Sequence, residues 1–237
     1  MKICATTLGE TAGDLLSMTL NVGYAASSVI LIALFLISLS AQMAVRRFHP
    51  LLFWLVILST STAGTTLSDY LDRSLGLGYA WGSVLLASGL LMVLLLWRST
   101  EKSLSVSRIN SPNAELFYWV AVLVSNTLGT ALGDYLADDS GLGFFGGAAL
   151  IGSGIAVVAL LAHYRRVNTI TLFWIAFVLT RPFGATFGDL LTKPTSLGGI
   201  GFGTVGSSAV LATLLLGMVL HAHHRHQPGR GPVRSRA

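Results

Sequence analysis

The sequence predicts an all-α integral membrane protein of about eight transmembrane helices, built from four same-orientation two-helix repeats in two duplicated halves. Three observations carry this. Of the 237 residues, 53% are hydrophobic and only 11% charged, where a soluble domain carries about 25% charged residues. Long apolar segments recur along the chain. A short motif, two small residues four apart and then an aspartate, appears four times: Gly9…Gly13-Asp14, Gly64…Ser68-Asp69, Gly129…Gly133-Asp134 and Gly184…Gly188-Asp189.

Seven apolar segments approach the ~20 residues that carry a helix across ~30 Å of hydrocarbon. They run Ala25–Val45, Leu51–Leu71, Tyr79–Trp97, Leu116–Leu136, Phe144–Tyr164, Thr171–Leu191 and Phe202–His221. A first stretch, Lys2 to about Leu20, is shorter and more polar. It counts as the eighth helix because it carries the motif, and Glu10 and Asp14 argue against a cleavable signal there. Cys4 is the only cysteine, so no intramolecular disulfide framework exists.

Spacing supports the repeat. The aspartates lie at 14, 69, 134 and 189, and both 14/134 and 69/189 differ by 120. A two-helix unit that doubled twice would leave this pattern. Residues 1–107 then hold repeats 1 and 2, residues 108–226 hold repeats 3 and 4, and 227–237 form a disordered basic tail. Nine residues after the first three aspartates stand Gly23-Tyr24, Gly78-Tyr79 and Gly143-Phe144. In the fourth copy Gly201-Phe202 comes twelve residues on, after Lys193-Pro194-Thr195. Trp54, Trp119 and Trp174 each precede their aspartate by fifteen residues, a place suited to interfacial anchors.

Loop charge sets orientation. Arg46, Arg47, Arg98, Lys102, Arg108, Arg165, Arg166 and the tail arginines follow the second helix of a unit, whereas the opposite loops carry only Arg73 and Lys193 among acids. The positive-inside rule makes both termini cytoplasmic. From Trp54 to Asp69 a helix rises about 22 Å, so the carboxylates belong in the outer half of the bilayer. The net charge of +5 sits in short loops and the tail, so nucleic acid is not an expected partner; the lipid bilayer is.

The motif has two parts. Small residues four apart let helix backbones approach closely, so Gly9, Gly13, Gly64, Ser68, Gly129, Gly133, Gly184 and Gly188 read as packing positions. The acids differ: one at a helix centre costs about 2.5–3.5 kcal/mol on insertion scales, and such residues mark ion or proton pathways. Glu10, Asp14, Asp69, Asp134 and Asp189 are therefore the candidate cation- or proton-binding groups. Thr6, Thr7, Ser61, Thr62, Thr65, Asn126, Thr127 and Thr130 stand four, seven or eight residues before an aspartate, on one helix face, and are the candidate polar lining. Hydroxyls in membrane helices also bond their own backbone, which is the competing structural reading. In the fourth copy the lining positions become Arg181, Pro182 and Ala185. Arg181 is the expected counter-ion, its partner an acid on another repeat. Five acids against it leave an excess of four negative charges that calls for cations, water or protons.

An all-oxygen donor set favours a hard cation such as Mg²⁺, Ca²⁺ or Mn²⁺, and proton coupling fits equally. Glu10 and Asp14, four apart, are the candidate metal pair, and a bound divalent cation is the one cofactor the residues suggest. His221, His223, His224 and His226 could hold a softer metal, although a basic tail against anionic lipid is the favoured reading.

The repeated Gly-x-x-x-Gly-Asp unit with its following Gly-Tyr/Phe helix resembles an uncharacterised family of bacterial polytopic inner-membrane proteins with four such repeats. The resemblance implies the fold and a bacterial inner membrane, and no reaction. Glu10-Thr11-Ala12-Gly13-Asp14 is also similar to the Glu-x-Gly-Asp motif of cation/proton exchangers for calcium and manganese, with one residue more and without the basic residue that follows there.

The leading expectation is a membrane transporter or channel for a small cation, divalent metal or proton-coupled, and not an enzyme. The alternatives are an intramembrane aspartyl protease-like enzyme, whose Gly-x-Gly-Asp motif is altered here by Ala131 or Thr186, and a non-transporting scaffold. An oligomer is compatible with the sequence.

Overall fold

A computed structural model of the chain describes residues 1–45, 49–102, 104, 111–164 and 168–226, with backbone alone for 223–226. Arg46, Arg47, Arg108, Arg165 and Arg166 lie outside the described residues, as do the tail 227–237 and the side chains of His223, His224 and His226. Among the described residues eight α-helices follow one another: α1 Lys2–Asp14, α2 Tyr24–Ala44, α3 Pro50–Asp69, α4 Gly78–Glu101, α5 Pro112–Asp134, α6 Gly143–His163, α7 Thr169–Thr192 and α8 Thr204–His226.

Local chemistry explains where they start. Pro50 and Pro112 occupy the opening turns of α3 and α5, where a missing N–H costs nothing. Ser111 accepts a hydrogen bond from the Ala114 N–H at 3.0 Å, and Asn168 accepts one from the Ile170 N–H at 2.8 Å. These are side-chain caps on otherwise orphaned donors. Beyond the aspartate, the first three repeats continue into one wider π-helical turn: Leu15–Thr19, Tyr70–Ser74 and Tyr135–Asp139. The chain then reverses at Gly23, Gly78 and Gly143, with φ of 81°, 71° and 66°, and in the fourth repeat at Gly201, with φ of 78°. Only glycine takes that conformation without strain, which is why each repeat places one there.

The odd helices α1, α3, α5 and α7 form an inner ring, each packed against two others. The even helices lie outside it: α2 packs on α3, α4 on α5, α6 on α7, and α8 returns to α1. Each repeat's outer helix thus covers the next repeat's inner helix, and the fourth covers the first. The two halves are consecutive arcs of one closed ring. Short connections make successive helices antiparallel, so the four inner helices run parallel and equivalent positions meet.

The small residues let them meet closely. A β-carbon at Gly9 would collide with Ser61, one at Gly64 would lie 2.8 Å from the Asn126 β-carbon, one at Gly129 would collide with Arg181, and one at Gly184 would lie 2.8 Å from the Thr6 β-carbon. Glycine of each repeat therefore faces the same position of the next, around the whole ring. Gly13, Gly133 and Gly188 do the same one turn on, against Thr65, Ala185 and Glu10. Ser68, fully buried, also donates its hydroxyl to Asp72 Oδ2 at 3.2 Å.

Seven of the helices are long and apolar enough to cross a membrane; α1 is shorter but fills its quarter of the ring. Val29, Ile37, Trp81 and Phe145 on the outer helices are 68% to 73% exposed. Such an apolar exterior suits lipid. The tryptophans differ from the anchor expectation. Trp119 and Trp174 are buried, and Trp54 is half-buried. Trp174 packs edge-on against Trp97 of α4, with ring centroids 5.7 Å apart, and Trp119 packs against Tyr118 at 4.9 Å. Aromatic pairs thus link α3, α4, α5 and α7 near the N-terminal ends of the inner helices.

Candidate functional site

Equivalent positions of the four inner helices stack as layers along the ring axis. Eight residues before the aspartates come Thr6, Ser61, Asn126 and Arg181. Four before come Glu10, Thr65, Thr130 and Ala185, and then the aspartates themselves. A helix returns to nearly the same face every seven or eight residues, so the parallel ring gathers these side chains in its interior.

Arg181 is fully buried and lies across the ring. Its guanidinium donates to the backbone carbonyls of Thr6 (2.7 Å), Ser61 (3.1 Å) and Asn126 (3.2 Å). Those are its own equivalents in the other three repeats. It also donates to the hydroxyls of Thr65 and Thr130, and pairs with Glu10 Oε2 at 3.1 Å. The expected acid on another repeat is therefore Glu10. Glu10 Oε2 also accepts from Thr65 at 3.1 Å and Thr130 at 3.2 Å. Pro182, inside α7, brings its ring against Gly129, and the glycine leaves room for Arg181 to turn inward.

One layer further, two bases from the segments that follow the aspartates reach back to them. Arg73 lies 3.1 Å from Asp69 and 3.2 Å from Asp134; Lys193 lies 3.1 Å from Asp14 and 3.2 Å from Asp189. Residues 73 and 193 are 120 apart, so they are equivalents in the two halves. Each clamps its own repeat's aspartate to that of a neighbouring repeat. Arg73 is held further by the Tyr24 hydroxyl, to which it donates at 3.3 Å, and lies over the rings of Tyr24 and Tyr79. Lys193 has no aromatic contact among the described residues. Burial works against its charge, but Asp189 and Asp14 outweigh this and raise its pKa above the ordinary value.

These bases change the charge count. The five carboxylates of the four inner helices face three bases, so their formal excess is two negative charges rather than four; Asp72, also buried, lies against Ser68 and Gly82 instead. The metal expectation changes too. One carboxylate oxygen from each of Glu10, Asp134 and Asp189 lies within 4.8 Å of the others. Asp14, which pairs with Lys193 as Asp189 does, is not in that group. The carboxylates are 2% to 6% exposed, while Arg73 and Lys193 are 29% and 20% exposed. The site is therefore approached from the C-terminal ends of the inner helices, where Arg73 and Lys193 are partly exposed.

The candidate lining divides in two. Thr65 and Thr130 enter the Arg181–Glu10 network by their hydroxyls, and Thr6, Ser61 and Asn126 by their carbonyls. Asn126 also donates to Thr60 at 3.0 Å. Thr7, Thr62 and Thr127, seven before each aspartate, are buried but donate to the carbonyls of Ile3, Leu58 and Leu123 on their own helices. For those three the back-bonding reading holds.

Residues 1–48, 52–103, 117–168 and 172–227 each match the family described as Repeat of Unknown Function (DUF347). No curated protein and no solved structure matches the chain.

Proposed function

The chain belongs to the DUF347 repeat family, and on that premise we propose that it is a bacterial inner-membrane transporter for a small cation, with both termini cytoplasmic and its carboxylates reached from the outer side. The observation that carries this is the group of Glu10, Asp134 and Asp189, whose carboxylate oxygens lie within 4.8 Å of one another inside the ring. Ligands held 2.0–2.6 Å from one hard cation stand about 3–5 Å apart, so these oxygens are spaced to share an ion. Their all-oxygen chemistry selects a hard divalent ion such as Mg²⁺, Ca²⁺ or Mn²⁺. The charge count agrees, since a surplus of two negative charges is balanced by one divalent ion or by two protons. Metal uptake coupled to proton movement is the simplest cycle this permits.

A carrier fits better than an open channel. Arg181 crosses the ring and bonds the carbonyls of the other three inner helices, so passage past it needs a rearrangement. The protease-like alternative needs two carboxyl groups facing one another and sharing a proton. Here Asp134 and Asp189 do come within 4.8 Å of one another, but each is also paired with a base, Arg73 or Lys193, and Glu10 makes the group a set of three rather than a dyad. The scaffold reading has one observation in its favour: every acid of the cluster has a basic partner. It predicts no cation binding at all.

The test is flux. In liposomes holding the purified protein, uptake of Mg²⁺, Ca²⁺ and Mn²⁺ is measured at two pH values, with and without Asp134→Asn. Loss of flux in a variant that still inserts and folds supports transport through this site. Equal flux in the variant overturns it.

A further inference from the structure

The two clamps at the mouth of the site occupy equivalent places but are built differently. Arg73 sits on a π-helical turn that continues α3, donates to Tyr24 and lies over two tyrosine rings. Lys193 sits where α7 ends and starts the loop to α8, which is three residues longer than its counterparts and has no π-helical turn. That loop contains Gly198, Gly199, Gly201 and Gly203, three of them at positive φ. Glycine gives such a segment backbone freedom that other residues lack. Two backbone bonds moor the loop to the end of α7, Ile200 N–H to Leu190 O at 2.7 Å and Phe202 N–H to Leu191 O at 2.9 Å, and Gly201 N–H bonds Lys193 O at 2.9 Å within the loop. Its side-chain tie to the acids is the Lys193 ammonium.

Asp189 has two roles in this geometry. It supplies one oxygen of the three-carboxylate group and is one of the two partners of Lys193, whose Nζ lies 3.2 Å away. A cation at that group and the Lys193 ammonium would both draw on the same carboxylate. Arg73 touches the group as well, through Asp134, but its tyrosine contacts hold it in place.

We propose that Lys193 is a tethered counter-cation: it neutralises Asp14 and Asp189 while the site is empty, is displaced when a divalent cation takes Asp189, and carries the α7–α8 loop with it. The inference rests on the cation-site reading above and adds a residue that sets affinity and links occupancy to loop movement. The lysine competes as a single positive charge at ion-pair distance from a ligand. The incoming ion brings two charges and engages three carboxylates, so it can win that competition. Asp14 keeps the released ammonium nearby, ready to return when the ion leaves. Arg73 fixes the opposite side and does not exchange.

The experiment uses the full chain purified in nanodiscs, with Mn²⁺ alone as the probe and electron paramagnetic resonance to count free ion. Removing a competing charge at ion-pair distance should matter by a factor of ten or more. Lys193→Gln is therefore expected to bind Mn²⁺ about tenfold more tightly than the natural chain. An affinity that is unchanged or weaker in Lys193→Gln overturns the proposal while leaving the cation site standing. A natural chain that binds no Mn²⁺ overturns the cation site itself, and this proposal with it. A second measurement keeps Lys193 intact. A spin label at Leu197→Cys, in a Cys4→Ser background, should change mobility as Mn²⁺ saturates the protein. A label indifferent to bound Mn²⁺ refutes the displacement.

Discussion

Replacing Arg181 with methionine keeps an apolar stem of similar length and removes the guanidinium. The structure sets the size of the loss. Arg181 is fully buried, pairs with a Glu10 that is 3% exposed, and donates to acceptors on α1, α3 and α5. Removing one partner of a buried ion pair costs about 3–5 kcal/mol, because the other charge remains uncompensated. The three carbonyls lose less, since they lie within helices whose own N–H groups serve them. Arg181→Met should therefore lower unfolding free energy by about 3–5 kcal/mol, read from denaturation in mixed micelles. Adding Glu10→Gln removes the stranded charge, so the double variant should regain at least about 2 kcal/mol of that loss, within the range that contacting residues couple. The reasoning fails if Arg181→Met costs less than about 1 kcal/mol, or if Glu10→Gln adds its own penalty without any recovery.

Other perturbations separate packing from chemistry. Gly129→Ala places a β-carbon into Arg181 and Gly64→Ala places one 2.8 Å from Asn126; each should cost about 1–3 kcal/mol of stability, the usual range for overpacking, and a thermal midpoint equal to the natural chain's would contradict the close approach. Thr127→Val removes a hydroxyl that bonds only its own helix, so cation flux should stay within about twofold, whereas Thr130→Val removes a donor to Glu10 and should lower cation affinity; equal effects from the two would sink the division of the lining. Tyr24→Phe deletes one hydrogen bond to Arg73 and should destabilise by about 0.5–1.5 kcal/mol, measurable as a shift in denaturant midpoint; a larger loss than in Arg73→Gln would reverse the order of importance assigned here.

The repeat was legible because it is written in single residues. Glycine at the reversal and small residues at the contact are each demanded by backbone geometry, so they recur at fixed spacing. The layers were half legible. Offsets of four and eight point to the axis, and offset seven looked equivalent on a helical wheel. The neighbouring helix decides otherwise, leaving Thr7, Thr62 and Thr127 to bond their own backbones. The tryptophans were misjudged for want of the same wheel. Fifteen residues at 100° bring Trp54, Trp119 and Trp174 between the directions of offsets four and eight, facing inward.

Arg73 and Lys193 were missed because a charge beyond a span reads as a loop charge. Two signals were available: each stands four residues after an aspartate, and they are 120 apart. What sequence could not convey is the π-helical turn after Asp69. A wider turn rotates each residue less than an α-helix does, swinging position 73 back towards the axis and its two carboxylates.

The central claim is that the ring's buried surplus of carboxylate charge holds one cation through Glu10, Asp134 and Asp189. Equilibrium dialysis of the purified chain against Mg²⁺, Ca²⁺ and Mn²⁺, with metal counted by mass spectrometry, tests it most directly. One divalent ion per chain, lost in a folded Asp134→Asn/Asp189→Asn variant, is the predicted result. No bound ion, or one that survives both substitutions, would contradict it.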